Sequence, residues 1–405
     1  MLKRKIAPVI FLVIAILSYF VFFHEDKTLK FIPKNADAVI LINVKKIKRQ
    51  AVFSFLMHPS GWFKSSKKSD LYSLFRKSGI ELPDYLQLFH LKNGKISDWN
   101  TVVEIADLNA FLLFLKECKF NKSDNNTYQK DGIFLKIEDE KCLISTSNSN
   151  FNYLKKAANN KFFEADEFIG ISTGSLSFLS NQKITNFEIE CSENEIEIKN
   201  SSNTKLFKSV LKSAEAKNQF LDLELDASNI QTFSQFFRNN FQYPSGVLAV
   251  KSTVALKQVQ DTIITFGYDD NFNEVEKRSF QKIIKPNYFI AFQTSNPDKT
   301  WEFFKNKKWI NSGNQFTAIP FQPNFINKYG KQIIVNSQEK ITKTGNWSKN
   351  NYIFLKNDPL FLTFFSSLNA PQKRIISKLD YVFFGNKDEN YYILIKFKKS
   401  KEAYF

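Results

Sequence analysis

The longest uninterrupted apolar run stands at the front of the chain. Lys3, Arg4 and Lys5 precede it, Ile6 to Phe23 carries no charge, and Glu25 and Asp26 follow. As a helix rising about 1.5 Å per residue, 6–23 covers about 27 Å, close to the ~30 Å hydrocarbon thickness of a bilayer. The pattern predicts one transmembrane helix anchored by Ile6, Val9, Ile10, Phe11, Leu12, Ile14, Leu17, Phe20 and Phe23. A cleaved signal peptide is the rival. Its apolar core runs about 7–15 residues to a small-residue cleavage site, whereas this run is longer and ends in Ser18-Tyr19-Phe20-Val21-Phe22-Phe23. Cations ahead of the span and carboxylates behind it place the N-terminus in the cytoplasm and the body in the periplasm or outside. No second run approaches this length, so the expectation is a single-pass protein of the inner membrane whose first partner is lipid.

Beyond the linker to Lys30, period-two and helical patterns alternate. Ala38-Val39-Ile40-Leu41-Ile42-Asn43-Val44 predicts a strand and Lys48 to Met57 a helix. Thr101 to Ala106 predicts a strand, with Asp107 or Asn109 as cap for a helix over Ala110 to Cys118. Tyr128 to Ser147 predicts a hairpin turning near Glu138-Asp139-Glu140-Lys141. Phe151 to Ala158 predicts a short helix, Phe168 to Ser172 a strand, Ser175 to Leu179 a short helix and Ile184 to Lys199 a hairpin.

The series then restarts. Leu221 to Leu225 predicts a strand and Ile230 to Phe241 a helix. Val247 to Leu256 and Val259 to Tyr268 predict two strands paired with each other, and Phe272 to Lys285 a helix. Tyr288 to Thr294 predicts a strand, followed by Pro297 as a first-turn proline and a helix over Thr300 to Trp309. Phe316 to Pro320 and Gln332 to Val335 predict strands with a helix near Asn324 to Lys328 between them. Tyr352 to Leu355, a helix over Leu360 to Ser367 and a hairpin over Leu379 to Lys398 complete the pattern.

The order of elements is similar in the two halves: Thr101–Cys118 matches Tyr288–Trp309 in kind, and Phe168–Lys199 matches Tyr352–Lys398. The expected fold class is α+β, with mainly antiparallel sheets in two tandem units, 31–203 and 204–405, behind an anchor and linker over 1–30. An old duplication and a chance likeness of two α+β domains both remain open.

An anchor followed by Ile32-Pro33-Lys34-Asn35-Ala36-Asp37-Ala38-Val39-Ile40-Leu41-Ile42-Asn43-Val44 and repeated strand–helix units resembles a family of bacterial membrane-anchored envelope proteins of unknown function. The resemblance implies an envelope location and this architecture, and carries over no catalytic residue.

Composition narrows the chemistry. At 43% hydrophobic and 24% charged the chain is globular. The net charge of +17 comes almost wholly from Lys, the arginines being Arg4, Arg49, Arg76, Arg238, Arg278 and Arg374. Two-pronged reading of phosphates and base edges favours Arg, so no nucleic-acid partner is expected. With His24, His58 and His90 the only histidines, and Cys118, Cys142 and Cys191 the only cysteines, a transition-metal site has little to be built from. No metal and no cofactor is expected. A Cys118–Cys142 bridge and three free thiols are alternatives.

Two motifs carry possible chemistry. Gly170-Ile171-Ser172-Thr173-Gly174 has the spacing of a nucleophile elbow, but no His follows His90 to serve as base. Ser209-Val210-Leu211-Lys212, Ser312-Gly313-Asn314 and Lys343-Thr344-Gly345 follow the order of penicillin-interacting acyl-enzymes. However, Ser-x-x-Lys also starts at Ser65, Ser180, Ser202, Ser279 and Ser337, so its presence says little. Trp62 and Phe63, beside Pro59 and Gly61, are the candidate contact surface. The leading expectation is a non-enzymatic scaffold that binds another envelope protein or polymer. The alternative is a serine acyltransferase or hydrolase acting on cell-wall material through Ser209, Lys212 and Lys343-Thr344-Gly345.

Overall fold

A computed structural model describes residues 23–57, 77–124, 126–148, 151, 163–180, 183–192, 194–217, 219–236, 246–319, 324–337, 347, 350–361 and 370–399. The chain divides into two compact units, one on either side of the Asn200–Ser201 junction, the second ending at Lys398.

Unit 1 runs β1 (Thr28–Leu29), β2 (Ala36–Asn43), α1 (Val44–Met57), β3 (Ile80–Glu81), β4 (Tyr85–Leu91), β5 (Trp99–Ile105), α2 (Leu108–Glu117), β6 (Asn121–Asp124), β7 (Thr127–Lys130), β8 (Ile133–Glu138) and β9 (Lys141–Ser145). It continues through β10 (Phe163–Glu164), a 3-10 turn at Ala165–Glu167, β11 (Gly174–Ser180), β12 (Lys183–Cys191) and β13 (Glu195–Lys199). The sheet order is β6-β7-β8-β9-β5-β4-β2-β11-β12-β13, antiparallel throughout. Strand β2 is apolar along its length, with one face fully buried through Val39 and Leu41 and the other, at Ile40 and Ile42, half-buried. In α2 the Asp107 carboxylate accepts the Ala110 N–H as an N-cap, and Phe111 and Leu115 turn inward against Val103, Leu135 and Cys142.

Unit 2 runs α3 (Lys205–Lys217), β14 (Leu221–Asp226), α4 (Ala227–Phe236), β15 (Val247–Tyr268), β16 (Glu274–Thr294), α5 (Pro297–Asn306), β17 (Phe325–Tyr329), β18 (Gln332–Asn336), β19 (Asn351–Lys356), α6 (Ala370–Lys378), β20 (Leu379–Lys387) and β21 (Asn390–Phe397). Its sheet order is β17-β18-β16-β15-β14-β19-β20-β21, again antiparallel. This is the order β8-β9-β5-β4-β2-β11-β12-β13 of unit 1, strand for strand, with α1 and α4 after the first strand and α2 and α5 after the third. The two units therefore share one connectivity.

One core cluster of unit 2 lies under α3, where Phe207, Leu211 and Ala214 pack on Tyr352, Phe354, Phe383 and Tyr392, and another gathers Tyr288, Phe304, Phe316, Ile333 and Val335. The Phe207 and Tyr392 rings stack at 5.6 Å. Gly385 makes this possible, since a Cβ there would lie 2.5 Å from the Phe207 ring.

The fold is dominated by antiparallel sheet, which corrects the expected α+β succession of strand–helix units. Phe272–Lys285, expected as a helix, is mostly strand β16; Ser175–Leu179 lies in β11; Asn324–Lys328 largely forms β17. Strand neighbours on both sides of β11, the long pairing of β16 with β15 and the ladder of β17 with β18 outweighed a weak helical pattern. Val247–Leu256 and Val259–Tyr268 are one continuous strand rather than a pair. Phe168–Ser172 is not a strand. The Tyr128–Ser147 hairpin is a three-strand meander, β7-β8-β9.

The expected transmembrane anchor is also corrected. Among the described residues no helix is long and apolar enough to cross a membrane. The described chain begins at an exposed Phe23 and runs through non-helical His24–Lys27 into β1. Ile6, Val9, Ile10, Phe11, Leu12, Ile14, Leu17 and Phe20 lie outside the described residues. The single-pass topology and the inner-membrane and periplasmic address rested on that helix, and they are withdrawn with it.

Candidate interaction surface

Strand β14 pairs with β15 only as far as Val254, and β18 pairs with β16 only from Phe289 onward. Beyond those points β15 and β16 have no strand neighbour among the described residues except each other. They continue as a two-stranded arm from Ala255↔Asn287 to Tyr268↔Glu274, fourteen consecutive pairs. At about 3.3 Å per residue the arm extends about 45 Å.

Sequence dictates this continuity. No Gly, Pro, Asn or Asp interrupts Val247 to Gln260, and Thr262-Ile263-Ile264-Thr265-Phe266 is β-branched or aromatic throughout. The reversal comes at Asp269-Asp270-Asn271-Phe272-Asn273. There Asp269 accepts hydrogen bonds from the Asn271 and Asn273 N–H groups and the Asn273 side chain. Those bonds, that to the Asn273 backbone N–H foremost, hold the Asp269 carboxyl below its ordinary pKa. Phe272 adopts φ 64°, a left-handed conformation that a bulky residue rarely takes.

The arm carries large apolar side chains in solvent: Phe266 is 68% exposed, Tyr268 69%, Phe272 86% and Phe280 64%. Scattered exposed apolar residues are ordinary, but a contiguous set on one ribbon marks an interaction site. Opposite residues of an antiparallel pair share a face, so Ile264, Phe266, Tyr268 and Phe280 all lie on one side of the arm.

The sequence-derived candidates fall elsewhere. Trp62, Phe63 and Lys343-Thr344-Gly345 lie outside the described residues. Ser209 and Lys212 are exposed on α3, on the side away from Phe207 and Leu211. Ser172 is buried and precedes strand β11 rather than a helix, so it does not occupy a nucleophile elbow. Cys118, Cys142 and Cys191 are unbridged, and burial pushes the Cys142 thiol up to about 12.

The described residues also form two hollows. One in unit 2, of about 390 Å³, is bounded by Leu223, Leu225, Ile230, Phe233, Trp309 and Phe316, with Ser252 its polar member. One in unit 1, of about 200 Å³, is lined by polar groups including Asp26, Lys30, Glu81, Asp84 and Glu104. Beside the latter, Tyr85 donates to Glu25, which also receives Arg49 at 2.9 Å and Asn43 at 3.3 Å. Burial alone would raise the Glu25 carboxyl, but these bonds outweigh it and hold it below its ordinary value. That cluster ties the entering segment to β2, β4 and α1.

The arm is the candidate surface that sequence reasoning missed. Its signal was present: 257–260 lacks turn formers and 269–273 is rich in them.

No described protein family matches the chain, and no curated protein does. Among solved structures, one titled "Structure of crystal form IV of TP0453" is similar at 9% identity and TM-score 0.23, over 78% of this chain and 92% of that one.

Proposed function

We propose that this chain is a non-enzymatic binding protein in which the β15–β16 arm engages a protein partner and the two sheet units serve as its scaffold. The observation that carries the reading is the fourteen-pair ribbon, which keeps four aromatic side chains in solvent at and near its tip. An isolated two-stranded hairpin is marginal in water, and tip aromatics of this size are the residue types that anchor protein interfaces. Both arm edges, which have no strand neighbour among the described residues, suit addition of a partner strand.

A photo-crosslinking amino acid placed at Phe266 in the full chain, expressed in its native cells, tests the reading. Leu113, exposed on α2, is the control position. A discrete protein adduct from position 266 and none from 113 is the expected result. No adduct from 266, or the same adducts from both positions, removes the arm as the binding element.

A further inference from the structure

The two edges of the arm differ in character. Along β16, Glu274, Glu276, Lys277, Arg278 and Lys282 place charge at close intervals, a pattern that discourages edge-to-edge pairing. Along β15, Thr262-Ile263-Ile264-Thr265-Phe266-Gly267-Tyr268 has no charge and no Pro. A β-rich, uncharged, exposed edge of this kind is a template for another strand.

Charge on the arm says which strand fits. Within one arm Lys257 stands directly opposite Lys285, and like charges opposed across a ladder destabilise it. Toward the other end carboxylates predominate, at Asp269, Asp270, Glu274 and Glu276 against Lys277 and Arg278, while Asp261 lies between. An antiparallel neighbour with the same sequence brings its acidic tip to this basic stem, and its basic stem to this acidic tip. If the two-fold axis passes through Ile263, Lys257 of each copy falls opposite Asp269 of the other, Asp261 opposite Thr265, and Thr262 opposite Ile264. No like charges oppose one another across the new junction in that register. Ile264, Phe266 and Phe280 of the two copies then form one continuous face.

Resting on the reading of the arm as a binding element, we propose that its partner is a second copy of this chain. The two β15 edges pair antiparallel about Ile263, making a four-stranded β16-β15-β15-β16 ribbon. Such an interface is isologous and closes as a dimer. It also gives each arm the extra strands that a lone hairpin needs for stability.

The full-length chain carrying Ile263→Cys tests this under mild oxidation, with Thr265→Cys and the unaltered chain as controls. A residue on the axis meets its own copy within the Cα separation of about 4.4–6.8 Å that a disulfide requires. Residue 265 is offset from its copy by four positions, about 13 Å. The expected results are a covalent dimer from Ile263→Cys alone and sedimentation of the unaltered chain as a dimer. Ile264→Lys, an exposed substitution, should convert the chain to monomer with an unchanged circular dichroism spectrum. A monomeric unaltered chain at tens of micromolar, or equal dimer from both cysteine variants, overturns self-pairing. If the chain is monomeric while the position-266 adduct with another protein persists, only this inference falls; if both are absent, the binding reading falls with it.

Discussion

The second and third strands of the shared connectivity end differently in the two units. In unit 1, β4 and β5 are each seven residues long and are joined by the short turn Lys92–Asp98. His90 pins that turn: its Nδ1 lies 2.6 Å from Asp37 and its Nε2 2.8 Å from the Lys95 carbonyl oxygen. Both partners are acceptors, so both ring nitrogens donate and the imidazole is held as the cation. In unit 2 the equivalent strands have no such clamp and continue as the fourteen-pair arm. One connectivity thus yields a closed hairpin where a buried charged side chain seals it, and a reaching one where β-branched sequence continues past the sheet.

The first strands of the two units differ as well. Toward the covering segment, β2 presents Val39 and Leu41, packed with Leu29, Ile32 and Phe168. Strand β14 presents Asp222 and Glu224 beneath α3, with Asp222 fully buried between Lys217 at 2.6 Å and the Tyr352 hydroxyl at 3.2 Å. Leu41→Ala should cost about 3–4 kcal/mol through its cavity. Asp222→Ala should cost about 2–3 kcal/mol by stranding the buried Tyr352 hydroxyl, the half-exposed Lys217 ammonium turning to water. Chemical denaturation checks both; a loss under about 1 kcal/mol for either would mean that the strand is not central to its unit.

Gly385→Ala is the next largest. The added methyl meets the Phe207 ring that β20 accommodates, so α3 must shift, at about 2 kcal/mol for overpacking. Phe207→Leu in the same chain should recover part of that loss, and its failure to do so would place the strain elsewhere.

The His90 clamp sharpens the comparison through pH. Burial would lower its pKa, but the Asp37 bond, the Lys95 carbonyl and the neighbouring Asp98 charge outweigh it and raise the value above 6.5. The folded state therefore holds the proton more tightly than the unfolded chain. The stabilisation is fully present below about pH 6.5 and is lost as pH rises through the raised folded value. His90→Gln should cost about 1–2 kcal/mol at pH 5.5 and less at pH 9. Equal losses at both pH values would show that the ring is not held as a cation.

The smallest effect has the opposite sign. Phe272→Gly relieves a left-handed bulky residue and should stabilise the arm turn by up to about 1 kcal/mol. It should also weaken the adduct formed from position 266. Gain of stability with no loss of binding would separate the tip aromatic from the partner surface.

Much of this fold was legible along the chain. The apolar run of β2, the Asp107 and Pro297 helix starts, and the terminal hairpins 183–199 and 379–397 follow from local pattern and capping chemistry. Of the likeness between the halves, the match of Thr101–Cys118 with Tyr288–Trp309 was read in the right elements, whereas that of Phe168–Lys199 with Tyr352–Lys398 rested on a strand at 168–172 and a helix at 175–179 that do not form. The candidate surface was not legible. Phe272–Lys285 offers apolar residues at spacings that fit either a helix or a strand, and local propensity does not separate the two.

What the sequence alone determined was the set of strands with continuous apolar runs, β2 foremost, because such a run has to leave water along its length. What only the tertiary structure decided was which strands become neighbours and where pairing outruns the sheet. Those depend on backbone hydrogen bonds between residues distant in the chain, and every residue but Pro carries the same N–H and C=O groups. No side-chain pattern could say that β15 loses β14 after Val254 and keeps β16 to the tip.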